Sequence, residues 1–425
     1  MTSEAFVWVH LPGDLVPTLA GKASISTSGG KAVGAFVYSG RYLKSDRALP
    51  LDPVALPLAE QVFETTMLSG NFSVLLDAGP DTWGRGIMDL SHGPQSGFGY
   101  LLHTNGGQVG ALSFSAAASV PPSEDGTQAP FASLEELCVA AEITEAGGEV
   151  SEVQAALLRA GSSAGGARPK FNIEHDGKLW IAKLESGAEA NAVVNVPILE
   201  AATLDLAGLA GIKTPNFEIH MIARRRVLLV ERFDREWTGA GWSRFRYASA
   251  RTVFHSNPEL QQRSFSGSYG RLAREFGRWS DTPAHDRLEL FRRMAFNCIV
   301  SNTDDHELNH GLVADRRGFV LSPAFDIVPQ PGATRPRYLA LIIGDEGAAA
   351  TRSNVLSIAQ VFGFSSADAE AIVAAIERVV SSAWQDCLSR HGAGKKMVAS
   401  LARRFESRYF SAGSEGMSMA AGGRQ

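Results

Sequence analysis

Cysteine is scarce in this sequence, which contains only Cys138, Cys298 and Cys387 in 425 residues. Their odd number, wide spacing and apolar neighbours predict reduced thiols in the core of a cytosolic protein, and they exclude a cysteine zinc site. Long apolar runs are also missing, because nowhere do about 18 apolar residues follow one another. Residues 1–11 lack a basic region followed by an apolar run. We therefore expect a cytoplasmic protein with neither a secretory leader nor a membrane span.

An excess of positive charge is absent too. The chain has 40 basic and 45 acidic residues and a formal net charge of -5, which argues against strong nucleic-acid binding by the chain alone, because phosphate neutralisation needs a basic face. A group of arginines could still form a local basic surface, although we interpret them as solvated edges of hairpins. They are Arg224, Arg225, Arg226, Arg244, Arg246 and Arg251. With 44% hydrophobic and 20% charged residues, the sequence predicts a folded protein of two or three subdomains.

What the sequence does have is a strongly polar stretch, Ser301–Asn309, followed at a short distance by Leu321–Asp326. An Asp, an Asn five positions later and a second Asp beyond them are the residues with which kinases handle Mg-ATP. We expect Asp304 to orient and deprotonate an attacking hydroxyl. We expect Asn309 and Asp326 to hold Mg²⁺ against phosphate oxygens.

Helical patterns lie on both sides of this stretch. Apolar residues recur with a helical period through Pro283–Val300, which predicts a packed helix that leads directly into it. An unpaired Asp304-Asp305 pair at the end of a buried helix would be costly, and a bound cation would remove that cost. A second long helix is predicted to begin at Ser365, whose side chain can cap it.

Strand patterns dominate the first part of the chain. Phe6–Leu11 and Ala32–Tyr38 predict two strands of a small sheet. Tyr100–His103 and Val109–Phe114 flank Asn105-Gly106-Gly107, which favours a hairpin between two further strands. We therefore expect the first subdomain to be a small sheet with helices.

Residues 162–170 have the composition of a phosphate-contacting loop. Small residues let backbone N–H groups approach a phosphate closely, and Lys170 places positive charge at the end of the loop. The small residues are Ala164, Gly165 and Gly166. The G-x-x-x-x-G-K-[ST] spacing of a Walker motif is missing, so a flexible hairpin loop is an equal alternative. Two strands are predicted to follow, turning at Asp176-Gly177.

Lys183 is a lone charge in the apolar strand over residues 180–184. A half-buried ammonium needs an anionic partner, either a phosphate or a carboxylate. Glu200, on a helix predicted over residues 195–210, can supply the carboxylate and hold the lysine over the α and β phosphates of a nucleotide. The alternative is that Glu200 is a solvated surface acid.

The segment Glu231–Arg235 follows two predicted strands, at the place where a kinase has its adenine-binding hinge. We expect backbone groups of Glu231 and Phe233 to contact adenine. This leaves Asp234 for the ribose or for an ion pair.

In this order the motifs resemble those of the HipA family of bacterial serine/threonine kinases, the toxins of type II toxin–antitoxin systems. The resemblance spans Val7–Arg404. It is carried by Trp83-Gly84-Arg85, Gly110–Phe114, Ala164–Lys170, Val230–Arg235, Asn302–Asn309 and Pro323–Asp326. It implies an α+β fold with a protein-kinase-like two-lobed core, an N-terminal α/β subdomain and a large all-α C-terminal lobe. The corresponding limits are 1–120 for the N-terminal subdomain, 121–235 for the N-lobe-like region, 236–410 for the C-lobe and 411–425 for a disordered tail.

The resemblance also implies an activity and partners. A HipA-like kinase uses ATP and Mg²⁺ to phosphorylate a protein, with aminoacyl-tRNA synthetases, notably glutamyl-tRNA synthetase, as the expected substrate class. Growth arrest and persistence would follow from inhibited translation. A HipB-like helix-turn-helix antitoxin would bind the toxin and provide most of the contact with operator DNA.

Residue roles can be carried over position by position. The resemblance makes Asp304 the catalytic base, and Asn309 and Asp326 the magnesium ligands. It implies ATP contacts for Lys183, Glu231, Phe233, Asp234 and His306. Ser162, or the adjacent Ser163, matches the autophosphorylated serine of the family, where a phosphate would repel ATP and force the loop outward. Unlike ordinary protein kinases, the sequence lacks a G-x-G-x-x-G loop, an HRD triplet and a DFG glycine, so regulation by an activation loop is not expected.

Three alternatives stay open at this point. His306 and His310, beside Asp304 and Asp305, could hold a hydrolytic metal if their segment is helical. A small-molecule or lipid kinase would show the same Asp-x-x-x-x-Asn pattern. A non-catalytic co-repressor of an antitoxin is the third, and the presence of both Asp304 and Asp326 argues against it.

Overall fold

The computed structural model describes residues 2–122, 128–161, 168–187, 192–257, 267–314, 318–330, 337–405 and 410. The chain divides into two units. Unit 1 comprises Met1–Ala190, Asn216–Arg263 and Leu312–Phe319. Unit 2 comprises Asn191–Pro215, Ser264–Gly311 and Val320–Gln425.

Strands β1 to β15 are numbered in chain order over the described residues. They are β1 (Thr2–Val9), β2 (Thr18–Ser28), β3 (Lys31–Tyr38), β4 (Val62–Thr65), β5 (Leu112–Ser115), β6 (Ala129–Pro130), β7 (Lys170–His175), β8 (Lys178–Leu184), β9 (Phe217–Ile222), β10 (Arg225–Glu231), β11 (Arg235–Trp237), β12 (Trp242–Arg244), β13 (Arg246–Ser249), β14 (Gly311–Ala314) and β15 (Phe319–Leu321). Strands β11 and β12 form a two-stranded sheet, and β13, β14 and β15 form a three-stranded sheet in that order.

Helices α1 to α13 are numbered in the same way. They are α1 (Gly40–Leu43), α2 (Ser73–Asp77), α3 (Thr82–His92), α4 (Gly99–Leu102), α5 (Leu134–Glu145), α6 (Glu152–Gly161), α7 (Val196–Leu209), α8 (Ala250–Ser256), α9 (Tyr269–Trp279), α10 (Pro283–Val300), α11 (Arg352–Ser357), α12 (Ser366–Arg390) and α13 (Lys395–Phe405). Sheet dominates unit 1 and helix dominates unit 2. The predicted α+β class is therefore confirmed.

The first sheet of unit 1 has the strand order β4-β3-β2-β1-β5, with every neighbouring pair antiparallel. The strands predicted at Phe6–Leu11 and Ala32–Tyr38 are confirmed as β1 and β3. Alternate side chains such as Val7, Val9 and Phe36 are fully buried in its core. Each contributes about 1.5–3 kcal/mol of burial free energy, which fixes the register of the strands.

The hairpin predicted around Asn105-Gly106-Gly107 is wrong. Gly99–Leu102 is the helix α4, and β5 pairs with β1. The carbonyl groups of Gly106, Gly107 and Gln108 instead accept hydrogen bonds from arginine side chains more than a hundred positions along the chain. The glycines therefore let a loop wrap around guanidinium groups, which a local turn signal does not reveal.

The second sheet of unit 1 has the order β6-β7-β8-β10-β9. The predicted hairpin of β7 and β8 is confirmed, with Asp176 and Gly177 at φ values of 50° and 67°. Two successive residues with positive φ are what a tight hairpin of this kind requires. Lys183 and Glu231 lie on the adjacent strands β8 and β10, so this sheet carries two of the predicted nucleotide contacts of unit 1.

Helix α10 is the central element of unit 2 and has the predicted bounds. It begins with Pro283, which is favoured in the first turn, and ends where Ser301 adopts the left-handed conformation, with φ 66°. Phe291 is fully buried, and α10 contacts α9 and α12. Helix α12 is confirmed too, since the Ser365 side chain caps it as predicted.

The cysteines are buried and free, as predicted. Burial raises the pKa of both Cys138 and Cys387 to about 11, so these thiols stay protonated near neutral pH. Within the described ranges, no helix combines the length and the apolar character needed to cross a bilayer. The predicted disordered tail, residues 411–425, lies outside the described residues.

Candidate functional site

The loop that follows α10 is held by short-range backbone hydrogen bonds. The left-handed Ser301 turns the chain away from the helix axis. The N–H of His306 then donates to the Asp304 carbonyl at 3.0 Å, and the N–H of Asn309 donates to the His306 carbonyl at 2.9 Å. In this compact loop the Asp304 side chain is exposed, whereas the Asp305 side chain is buried. Only the first carboxylate is therefore presented to solvent.

Asn309 closes this loop with its side chain. Its Nδ2 donates to the backbone carbonyl of Asp304 at 2.8 Å. Because Nδ2 is committed to that bond, the amide oxygen Oδ1 is the Asn309 atom that can bind a cation. The base and the first metal ligand predicted from the sequence are thus connected by a direct hydrogen bond.

Asp326 follows β15 with a φ of 59°. Asp and Asn tolerate this left-handed conformation better than other residues with a side chain. Its two chain neighbours, Phe325 and Ile327, line a small cavity together with Asn309. The other lining residues are Arg293, Asn297, Asn302, Asp305, His310 and Ala324. The structure therefore brings Asn309 and the chain segment of Asp326 to one cavity, although strands β14 and β15 lie between them in the sequence.

The hydrolytic metal site considered for His306 and His310 is wrong. Their segment is not helical, so positions four apart do not share a face. His310 Nε2 instead bonds to Asp305 Oδ1 at 2.7 Å, with both side chains buried. His306 Nδ1 accepts from the backbone N–H of Leu308 at 3.3 Å. The second Asp of the pair therefore fixes the base of the loop through a histidine.

A buried ion pair between Arg293 and Glu289 contributes to the wall of this cavity, and it was not predicted from the sequence. Arg293 Nε and Nη2 donate to Glu289 Oε1 at 2.9 and 2.8 Å, and Nη2 also donates to the Ser322 carbonyl at 2.6 Å. Burial lowers the pKa of Arg293, and the neighbouring Glu289 opposes that shift. The available signal was a Glu and an Arg four positions apart on a helix, a spacing at which two side chains can pair. The pair connects α10 to the segment that leads to Asp326.

In unit 1, two lysines stand opposite each other on β7 and β8. Lys170 and Lys183 form a directly paired position of the antiparallel ladder. Lys170 is buried, with its Nζ 3.8 Å from Asp81 Oδ2. Burial raises the pKa of Asp81 to about 6 and the positive charge of Lys170 opposes this rise. Asp81 also caps α3 by accepting from the Gly84 N–H, so Lys170 is tied to a helix start, and its contact with ATP stays a prediction.

Asp234 forms an ion pair with two buried arginines, which is one of the two alternatives left open for it. Its Oδ2 lies 2.8 Å from Arg232 Nη2 and 2.6 Å from Arg235 Nη1, and it accepts from the Gly110 N–H at 2.8 Å. Burial alone would raise the pKa of Asp234, but Arg232 and Arg235 outweigh it and hold the pKa well below its ordinary value. Contact with a ribose stays a prediction.

The arginines of this cluster donate hydrogen bonds to backbone carbonyl groups of residues 106–108. Arg232 donates to the carbonyls of Gly107 and Gln108 at 2.7 and 3.0 Å, and Arg235 donates to the Gln108 carbonyl at 2.7 Å. Arg244 donates to the Gly106 carbonyl and to Ser113 Oγ. Asp234, these arginines and the 106–110 loop therefore form one buried hydrogen-bonded cluster.

The interpretation of Arg244 and Arg246 as solvated hairpin edges is therefore wrong. Arg244 and Arg246 are only 4% and 8% exposed to solvent. The guanidinium of Arg246 lies over the Phe319 ring at 4.9 Å. Buried acceptors and an aromatic face replace the water that a surface arginine would have.

The predicted hinge residues lie at the end of β10, where Glu231 is its last residue, and directly after it. Glu231 Oε2 accepts from Lys178 Nζ and from Asn216 Nδ2, each at 2.7 Å. The Glu231 N–H donates to the Asn216 carbonyl at 2.9 Å, so an adenine contact at this residue depends on its carbonyl. Phe233 is half-buried. Adenine binding by both residues stays a prediction.

Glu200 lies on α7 and is 3% exposed, so the solvated alternative is wrong. Lys183 belongs to unit 1 and Glu200 to unit 2, and their pairing stays a prediction. Several predicted residues lie outside the described ranges. They are Ser162, Ser163, Ala164, Gly165 and Gly166.

Comparisons with known proteins bear on the family and the fold of the chain. The family model of the HipA-like C-terminal domain matches residues 162–384. "Putative kinase Y4dM" of Sinorhizobium fredii (strain NBRC 101917 / NGR234) is 29% identical over 168 residues, and the match covers 36% of this chain but only 38% of that relative. A chain of the solved complex of HipA, HipB and operator DNA, from the toxin–antitoxin system of Shewanella oneidensis MR-1, has a TM-score of 0.64 at 17% identity and covers 95% of this chain and 97% of that chain.

The structural likeness shows the fold, which is the two-lobed, kinase-like α+β fold expected from the sequence. The family match rests on a longer part of the chain than the curated relative does. Residues 162–384 are more than half of the 425 residues and contain the Asp304 loop, Asp326 and Lys183. The chain therefore belongs to the family defined by the HipA-like C-terminal domain.

Proposed function

We propose that this protein is a kinase of the HipA type that uses Mg-ATP to phosphorylate serine or threonine in a protein. The observation that carries the proposal is the loop closed by Asn309 on the Asp304 carbonyl, beside a cavity shared with the segment of Asp326. An exposed carboxylate, an amide oxygen and a second carboxylate are the groups that phosphoryl transfer requires. Family membership supports the same conclusion.

The residues divide the work according to their chemistry. Asp304 accepts the proton of the attacking hydroxyl and orients it. The oxygen donors of Asn309 and Asp326 fit Mg²⁺, which takes oxygen ligands and, when bound, offsets the negative charge of the phosphates. Lys183, positioned by Glu200, contacts phosphate oxygens, while Glu231 and Phe233 contact adenine and His306 contributes to ATP binding.

Substrate and partners follow from the family resemblance. We propose an aminoacyl-tRNA synthetase as the protein substrate, with glutamyl-tRNA synthetase first among them, so that phosphorylation inhibits translation and growth. A HipB-like antitoxin would hold the toxin and contact operator DNA, as the Shewanella complex contains both HipB and operator DNA. With these proposed partners the activity would be cytoplasmic.

Labelling with radioactive ATP tests the proposal directly. The purified chain is incubated with Mg²⁺, labelled ATP and a bacterial lysate, and the products are separated into protein and small-molecule fractions. We expect a labelled protein band that is absent without Mg²⁺. Label in the small-molecule or lipid fraction would favour the small-molecule alternative, and no transfer to any acceptor would favour the co-repressor.

Replacing Asp326 by Asn tests the proposed metal ligand. Asn keeps the size of the side chain and tolerates the left-handed backbone at this position. We expect Mg-ATP affinity to fall by at least about tenfold, since replacing even a residue that only hydrogen-bonds to a metal ligand typically lowers metal affinity by that factor. Calorimetric titration of ATP with and without Mg²⁺ measures it, with Asp345→Asn at an exposed position as the control. An unchanged Mg²⁺ dependence would remove Asp326 from the proposed site.

Replacing Ser162 by Ala tests inhibitory autophosphorylation. A phosphate on this loop would add close to two negative charges beside the triphosphate and repel it. We expect the variant to keep its activity after preincubation with ATP, while the unmodified chain loses activity over the same period. Ser163→Ala is the matched control, and it separates the two candidate serines. Equal decay of the parent and both variants would show that neither serine is an off-switch.

A further inference from the structure

Two histidines and a glutamate that play no part in the proposed kinase chemistry meet on the second sheet of unit 1. One ligand atom from each of His175, Glu218 and His220 lies within 4.8 Å of the ligand atoms of the other two. Glu218 Oε2 is 2.9 Å from His220 Nε2. The two imidazole rings are 5.5 Å apart and perpendicular. We call these residues the histidine cluster; it is the group with metal-binding geometry among the described residues.

The strand positions explain why the side chains converge. Glu218 and His220 are two positions apart on β9, so they lie on the same face of the strand. His175 is the last residue of β7, immediately before the Asp176-Gly177 turn. The ladder does not pair β7 with β9, so the three side chains come together without a shared hydrogen-bond register.

An aromatic side chain orients both imidazoles. Phe131 stacks on His175, with ring centroids 4.1 Å apart, and meets the edge of His220 at 5.1 Å. Ring contacts of this kind restrict imidazole rotation. The ligand nitrogens are therefore partly positioned before any cation binds, which reduces the ordering cost of binding.

We propose that the histidine cluster binds a zinc ion. Two imidazole nitrogens and one carboxylate oxygen are a set of ligands that Zn²⁺ takes in proteins, usually with water or a further ligand in the fourth position. Mg²⁺ and Ca²⁺ prefer all-oxygen surroundings, so the nitrogen donors select against the cation that kinases use. Glu218 is exposed and both histidines are half-buried, so the ion has access from solvent.

A neighbouring carboxylate can complete the coordination. Asp176 Oδ2 is 3.6 Å from His175 Nε2, and its side chain is 85% exposed and free to rotate. Two carboxylates with Zn²⁺ would leave no net charge, because the imidazoles bind in their neutral form. Such an ion would connect the β7–β8 turn to β9. No hydrogen-bond ladder of the described strands joins β7 directly to β9.

Zinc titration of the full chain in excess Mg²⁺ tests the proposal, because Mg²⁺ occupies sites made of oxygen ligands alone. We expect one Zn²⁺ to bind per chain, and His220→Gln and Glu218→Gln each to weaken binding by roughly tenfold or more. His285→Gln is the matched control, as His285 is a 73% exposed histidine beside a carboxylate in unit 2. It should leave zinc affinity unchanged.

Cobalt spectroscopy supplies a second readout that does not depend on kinase activity. Co²⁺ bound by two histidines and carboxylates in four or five coordination absorbs visible light far more strongly than the hexahydrate. We expect this absorption in the parent and in His285→Gln, and its loss in His220→Gln. Thermal unfolding without metal should be the same for all variants, because the replaced side chains are not in the core. Zinc binding that survives both cluster substitutions, or the absence of binding in excess Mg²⁺, would overturn the proposal.

Discussion

Asp304→Asn is expected to reduce phosphoryl transfer by on the order of 10²–10⁴-fold, which is the usual contribution of a positioned base. The Asp304 carboxylate is exposed at the tip of a loop, while its backbone carbonyl accepts from Asn309. Asn at this position cannot accept the hydroxyl proton, but the backbone hydrogen bond that closes the loop is retained. ATP affinity should therefore stay close to that of the parent.

Initial rates of label transfer and calorimetric ATP binding measure the two effects on the same preparations. Asp281→Asn provides a matched control, because Asp281 is another exposed aspartate of unit 2, near the start of α10. We expect the control to transfer phosphate at the parental rate. Near-normal turnover of Asp304→Asn would exclude the base role, and parallel loss of ATP binding would assign Asp304 to nucleotide or metal binding instead.

Asp234→Ala is expected to destabilise the protein by about 3–5 kcal/mol, the usual cost of leaving a buried charge without its partner. The side chains of Arg232 and Arg235 are 3% and 2% exposed, so water cannot replace the carboxylate. Denaturant unfolding measures the loss. Glu236→Ala, at an exposed position two residues away, should change stability by no more than about 0.5 kcal/mol. A loss as small for Asp234→Ala as for this control would show that hydrogen bonds from the carbonyl groups are enough to stabilise the buried arginines.

The same ion pair predicts a pH dependence with a definite sign. The folded-state pKa of Asp234 lies below its unfolded value, which is about 3.9. Its contribution to stability is therefore fully present above the unfolded pKa and is lost as the pH falls towards the folded pKa. The stability difference between the parent and Asp234→Ala should be constant from neutral pH down to about pH 5 and shrink below about pH 4. A difference that grows on acidification would contradict this assignment.

Local signals were sufficient for the elements that position the catalytic stretch. Pro283 and the helical period set the bounds of α10, and Asp176-Gly177 set the turn between β7 and β8, because both depend on neighbouring residues only. The residue types expected at Asp304, Asn309 and Asp326 followed from the oxygen chemistry of Mg-ATP. The roles of these residues stay predictions, to be decided by the experiments above.

Partners distant in the sequence could not be predicted from such signals. The Asn105-Gly106-Gly107 segment has the composition of a hairpin turn, yet its carbonyls bind Arg232 and Arg244. The Lys170 charge suggested a phosphate, yet the structure sets Asp81 beside it. A glycine-rich loop or a buried lysine shows that a polar partner is needed, but the sequence does not say which partner it is.

The sequence by itself determined the bounds of α10, the turn between β7 and β8, and the set of oxygen-bearing side chains suited to phosphoryl transfer, since each depends on local geometry or on the chemistry of single residues. The fold class followed from the order of motifs that the chain shares with the HipA family. Only the tertiary structure decided that Asp234 is enclosed by arginines, that Asp305 bonds to His310, and that His175 meets Glu218 and His220. These contacts join segments whose approach depends on the packing of whole sheets and helices, and no short stretch of sequence contains that information.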